Sequence, residues 1–162
     1  MTMKTRHWLG LALIVVVLDQ LTKTCASHWL IYGQQNAVMP GLNFTLAHNT
    51  GAAFSLLSEA SGWQRWFFAG IAFVVSVVIT LWLRQVGDDE WWLPTALSLI
   101  LGGAIGNFVD RLAFGYVIDF IQVYYETWYW PAFNIADSTI CVGAVMLILS
   151  GWKQQPERAS ES

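Results

Sequence analysis

Two stretches of this chain, residues 66–83 and 91–109, contain no charged residue at all. Each is close to the ~20 apolar residues that a helix needs to cross a hydrocarbon core. A third run, 135–152, carries one acid, Asp137, near its start. A fourth begins at Trp8, but its apolar core ends at Leu18, so it spans only by continuing through Asp19 and Lys23 to about residue 27. Residues of the AVILMFWYC set make up 56% of the 162 positions and charged residues only 12%. A globule of that composition has too little polar surface to cover itself in water, so a soluble domain and a disordered chain are both excluded. Eight basic residues, a net charge of −3 and no basic block also leave no footprint for nucleic acid.

The chain is therefore expected to be one α-helical membrane domain, 1–162, with four transmembrane helices at about 8–27, 66–83, 91–109 and 135–152. Lys4 and Arg6 before a short apolar run also fit a cleavable leader. No A-x-A-like site follows the run, and Lys23 spoils the small apolar box before Cys25, so the first span is read as uncleaved. All ten tryptophans fall near proposed span ends or in connecting segments, as interfacial rings do. Lys4, Arg6, Arg84, Lys153 and Arg158 lie on one side, against Arg65 and Arg111 on the other. The positive-inside rule then puts both termini in the cytoplasm and segments 28–62 and 110–132 outside. Cys25 and Cys141 lie in apolar contexts without CxxC spacing, so no disulfide is expected. The tail from Lys153 is short, polar and expected to be loose.

The outward segments read as structured. Leu42, Phe44 and Leu46 alternate with Asn43, Thr45 and Ala47, between turn signals at Pro40-Gly41 and Asn49-Thr50-Gly51. Tyr116, Ile118 and Phe120 alternate with Val117, Asp119 and Ile121. Both loops are expected to contribute to a small β-structure on the outer leaflet, with its apolar face toward lipid or substrate.

Charges at membrane depth persist where they pair or act. Asp19 and Lys23, four apart on a helix, share a face and form an internal ion pair. Gly102-x-x-x-Gly106 allows close helix approach, and leads into a polar cluster of Asn107, Asp110 and Arg111 suited to positioning. Asp119 and Asp137 stand without a cation nearby in sequence, both on the outward side. Desolvation raises such carboxyls, and two close together share a proton, so that one activates water while the other polarises a carbonyl. The spacing alone equally allows a proton or ion relay in a small transporter, or a non-catalytic assembly subunit. There is no HExxH, no G-x-S-x-G and no phosphate loop. His7, His28 and His48 are dispersed, and no metal or cofactor is expected.

Five segments, in order, resemble the motifs of the signal peptidase II family. They are Leu18-Asp19-Gln20-Leu21-Thr22-Lys23, Asn49-Thr50-Gly51-Ala52-Ala53-Phe54, the run from Gly102 to Arg111, Val117-Ile118-Asp119-Phe120, and Phe133-Asn134-Ile135-Ala136-Asp137-Ser138. The resemblance implies a bacterial inner-membrane aspartic peptidase with four helices and a periplasmic β-cradle. Its substrates would be diacylglyceryl-modified prolipoproteins, held beside membrane lipid and cut before the lipidated cysteine. It further implies Asp119 and Asp137 as the dyad, with Asn49, Asn107, Arg111 and Asn134 holding substrate or orienting the dyad. Asp19, Lys23 and Asp110 would support the site, and globomycin-type cyclic peptides would inhibit.

Overall fold

The computed structural model describes residues 3–51, 62–87 and 91–160, with side chains from Thr5 to Ser150 within them. In chain order the elements are α1 (Met3–Trp29), β1 (Gln35–Met39), β2 (Leu42–Asn49), α2 (Trp63–Leu83), α3 (Trp92–Ala113), β3 (Val117–Tyr125), β4 (Trp128–Tyr129) and α4 (Ile135–Ser160). Thr5–Trp29 of α1, all of α2 and all of α3 are long and apolar enough to cross a membrane, whereas the apolar part of α4, Ile135–Ser150, is shorter. The helices overrun the expected spans, so Arg65 lies in the first turn of α2 and Arg111 in the last turn of α3.

Helix α3 is central, packing on α1, α2 and α4. Its glycines explain how. A Cβ on Gly102 would meet Val15 Cβ at 2.6 Å and the Ala12 carbonyl at 2.7 Å, both in α1. A Cβ on Gly103 would strike the Ala136 carbonyl of α4, and Gly143 of α4 comes as close to the Ala96 carbonyl. The Gly102/Gly106 face thus does receive a helix, α1, and Gly103 provides a second small face for α4. Beyond these contacts Ala12, Ile79, Leu83, Leu97 and Leu101 form a buried cluster. Leu13, Ile14, Phe73, Val74, Val78, Val145 and Ile148 point outward, an apolar girdle that only lipid could solvate. Trp29, Trp63, Trp66 and Trp91 are exposed at helix ends, where interfacial rings belong.

The sheet is antiparallel with order β1-β2-β3-β4. β1 and β2 turn at Pro40-Gly41, where Gly41 has φ +87 and its carbonyl accepts Tyr124 N–H at 3.0 Å. From Leu42 to Thr45 the expected alternation in β2 is present, with Asn43 and Thr45 buried and Phe44, 39% exposed, on the outer side. A register shift between Phe44 and Ala47 turns Leu46 inward as well. The alternation read in the second loop is absent. Val117, Ile118, Asp119 and Phe120 are all buried, because β3 is an interior strand that packs on α1 and α3. β1 shows no alternation in sequence and is mostly exposed, as an edge strand can be. The tail expected to be loose continues α4 to Ser160, in keeping with its Lys, Gln, Glu, Arg and Ala content.

Candidate active site

The site lies where α1, the end of α3, the start of β3 and the first turn of α4 meet. Its base is a buried charge cluster. Lys23 Nζ pairs with Asp19 Oδ2 at 2.8 Å and Asp110 Oδ2 at 2.9 Å, and donates to Asn107 Oδ1 at 2.9 Å. An ammonium has three donors, so Lys23 is fully used, and all three charged groups are essentially inaccessible. The remaining lone pairs tie down other elements. Asp19 Oδ1 accepts Ala136 N–H of α4 at 2.9 Å, and Asp110 Oδ2 accepts Ile118 N–H of β3 at 3.1 Å. Gln20 Nε2 donates to Asp110 Oδ1 at 2.9 Å and to the Gly106 carbonyl at 3.2 Å. The Asp19–Lys23 pair expected from spacing is present, enlarged by Asp110 into a joint between α1 and α3. Sequence reasoning gave no role to Gln20, whose signal was a lone amide between Asp19 and Lys23.

Above this joint sit Asp119 and Asp137, neither in an ion pair among the described residues. Three asparagines hold them. Asn134 Nδ2 donates to Asp119 Oδ1 at 2.7 Å, and Asn49 Nδ2 donates to Asp119 Oδ2 at 3.1 Å. Asn107 Nδ2 donates to Asp137 Oδ1 at 2.8 Å. Asn134 also starts α4. Its Oδ1 accepts Asp137 N–H at 2.9 Å while Asp137 Oδ2 accepts Asn134 N–H at 3.3 Å, a reciprocal capping box. The same side chain thus sets the helix start and touches both carboxylate residues. Asn49 is fixed by its own turn, its Oδ1 accepting Gly51 N–H at 3.0 Å. Arg111 reaches the Gly51 carbonyl at 3.2 Å and the Asn107 carbonyl at 3.3 Å, and lies over the Phe68 ring. It therefore braces the asparagines rather than hydrogen-bonding either carboxylate. Ala52, Ala53 and Phe54 of the second motif lie outside the described residues.

Burial pushes the Asp119 carboxyl up to about 7, and the Asp137 charge pushes the same way against the two asparagine hydrogen bonds. Asp119 is 2% exposed, whereas Asp137 is half-buried and opens onto a cavity of about 430 Å³. Asn49, Asn107, Arg111, Asp137 and Ser138 form the polar part of its wall, and Trp130, Phe133 and Ile140 part of the apolar remainder. His48 is not part of this constellation. It stacks on Tyr116 at 4.0 Å between ring centroids, and partial burial lowers its pKa. Among the described residues no cluster of three or more His, Cys, Asp or Glu could hold a metal ion, and Cys25 and Cys141 are free thiols. Every candidate residue named from the sequence lies in this one corner.

The family model for signal peptidase (SPase) II matches residues 11–153. The chain belongs to the signal peptidase II family. The match takes in the charge cluster, the asparagines and both aspartates, so this corner lies wholly inside the signal peptidase II homology. A lipoprotein signal peptidase of Pseudomonas fluorescens is 55% identical over 150 residues, covering 91% of this chain and 88% of that protein. One from Teredinibacter turnerae is 52% identical over 141 residues, covering 87% of this chain and 84% of its own length. A bacterial membrane enzyme solved by the in meso method superposes with a TM-score of 0.82 at 31% identity, covering 92% of this chain and 89% of that one.

Proposed function

We propose that this chain removes the signal peptide from diacylglyceryl-modified bacterial prolipoproteins, cutting before the lipidated cysteine, with Asp119 and Asp137 as an aspartic dyad. The observation that carries the reading is the pair of carboxylates, neither in an ion pair among the described residues, oriented by Asn49, Asn107 and Asn134 beside a mostly apolar cavity.

Asp137, which faces the cavity, acts as general base and takes a proton from the attacking water. Asp119, whose carboxyl burial raises to about 7 so that about half of it is protonated at neutral pH, acts as general acid and gives its proton to the scissile carbonyl oxygen. The resulting gem-diol collapses as Asp137 returns its proton to the leaving nitrogen and Asp119 takes one back, so the dyad ends as it began. Asn107 and Asn134 keep the carboxylates in register, and Arg111 braces the edge of the cavity. The apolar wall suits a lipidated peptide whose acyl chains remain in the bilayer. The same cavity would receive globomycin-type cyclic peptides.

In this reading the chain is a single domain, 1–162, with four spans, α4 supplying the fourth, and both termini cytoplasmic, an orientation that Lys4, Arg6, Arg84, Lys153 and Arg158 support. The dyad then faces the periplasmic side of the inner membrane. A transporter would distribute relay acids along the bundle, whereas Asp19, Asp110, Asp119 and Asp137 converge on one corner.

The test is cleavage of a diacylglyceryl-modified prolipoprotein and its unlipidated form by purified protein in detergent. Only the lipidated form should be cut, and Asp119→Asn and Asp137→Asn should each abolish cutting while remaining folded. Normal cleavage by both variants would remove the dyad from the mechanism.

A further inference from the structure

His48 touches neither aspartate, yet it immediately precedes Asn49 and its ring is held from two directions in the chain. The imidazole stacks on Tyr116 with centroids 4.0 Å apart and planes 19° from parallel. Tyr32, in the link between α1 and β1, packs on it at 4.8 Å. Tyr116 in turn stacks on Phe114, the residue that caps α3, at 5.9 Å. Gly115 between those two rings has φ +87, a conformation that favours glycine. Arg65 of α2 lies against Gly115 and donates to the Leu112 carbonyl at 2.7 Å, which braces this turn. His48 and Tyr32 are exposed and Tyr116 is partly so, so these rings add little to the core.

The strand register shows what the rings hold. β2 and β3 pair Ala47 with Asp119, His48 with Ile118 and Asn49 with Val117, the last pair of the ladder. Successive side chains of a strand point to opposite faces. On one face Asn49 crosses diagonally to Asp119 at 3.1 Å, and on the other His48 reaches Tyr116, one residue before β3. The end of a ladder is where pairing opens first. Beyond Asn49 the chain is held by Arg111 on the Gly51 carbonyl at 3.2 Å. Before it, the anchor is the ring stack. We propose that His48 is a positioning residue for the dyad: its stack on Tyr116 holds the end of β2 on β3, so that Asn49 keeps its hydrogen bond to Asp119. This rests on the dyad reading and adds to it a residue that touches neither carboxylate.

The consequence has a sign. Asn49 donates to Asp119 and favours its ionised form, so a loosened Asn49 raises that carboxyl further. Asn134 and Lys23 favour the same form, Arg111 attracts it and Asp137 opposes it. These four groups lie on or beside α1, α3 and α4, and substitutions at His48 leave them in place. The test compares wild type, His48→Ala, His48→Phe, Tyr116→Leu, Asn49→Ala and the double variant His48→Ala with Asn49→Ala, by the pH dependence of cleavage and of thermal unfolding. In His48→Ala and Tyr116→Leu the alkaline limb of kcat/KM should move up by as much as about one pH unit, as loss of one hydrogen bond to a charged group allows. The double variant should move no further than Asn49→Ala alone. His48→Phe, a ring without a charge, should behave as wild type. The pH window over which stability falls should extend upward with the limb, and this is read without substrate. Absence of cleavage by wild type would therefore refute the peptidase reading while the unfolding titration still judged the stack. An unmoved limb and window in His48→Ala, equal shifts in His48→Phe, or shifts that add in the double variant would each overturn the proposal.

Discussion

Asp119→Asn should make the protein more resistant to unfolding, and increasingly so as pH rises from about 4 to about 7. Burial raises the Asp119 carboxyl from its ordinary value of 3.8 to about 7 in the fold. Between those values the folded chain binds more protons than the unfolded chain, so wild-type stability falls as pH rises through the window and levels off above it. About three pKa units at about 1.4 kcal/mol each sets an upper bound of about 4 kcal/mol for holding this charge in the fold. An asparagine has no such titration. It does turn an NH2 group toward Asn49 Nδ2 or Asn134 Nδ2, where a carboxylate oxygen accepted before. That loss is independent of pH, so the slope of the difference, rather than its sign at one pH, carries the test. At ~2–4 °C per kcal/mol the gap in Tm should widen by up to about 10 °C. Thermal unfolding in detergent, followed by tryptophan fluorescence at steps from pH 5 to 8.5, measures it. A gap between wild type and Asp119→Asn that stays constant across that range would refute the raised carboxyl and the assignment of the proton to Asp119.

The same carboxyl governs the rate: kcat/KM for lipidated substrate should fall as pH rises past about 7, as the proton on Asp119 is lost, and a pH-independent rate to pH 9 would contradict this. Lys23→Met leaves Asp19 and Asp110 buried without their cation and should destabilise the fold by about 3–5 kcal/mol, read as a lowered Tm or loss of extractable folded protein. Cys141 is a free thiol on the wall of the dyad cavity, one helical turn after Asp137. Maleimide treatment should therefore block cleavage in wild type but not in Cys141→Ala, in which Cys25 remains as the control.

The apolar helices and the charge cluster were legible because membrane burial makes each charge conspicuous: Asp19 and Lys23 announced a shared face by their spacing, and their contact is present. Gly102 and Gly106 likewise announced a helix contact, though not that Gly103 would serve another helix. What the sequence concealed lies in the sheet. Period-two reasoning assumes one wet face, but β3 is buried on both faces from Val117 to Phe120, and in β2 the alternation holds only from Leu42 to Thr45 before the register shift turns Leu46 inward. The convergence of Asn49, Asn107 and Asn134 on two aspartates was reachable only through family motifs, since a neutral amide gives no charge signal and its partners are distant in sequence.

Asn134 caps α4 and grips Asp119 with the same amide, while Ala136 N–H is anchored to Asp19. This ties the birth of the enzyme to the order in which its chain is made. Asp119 emerges from the ribosome before Asp137, and until the last helix docks against α3 it has the hydrogen bond from Asn49 but lacks both the one from Asn134 and the neighbouring Asp137. A chain whose last helix has not yet docked therefore holds only half of this corner, whatever the state of its earlier helices.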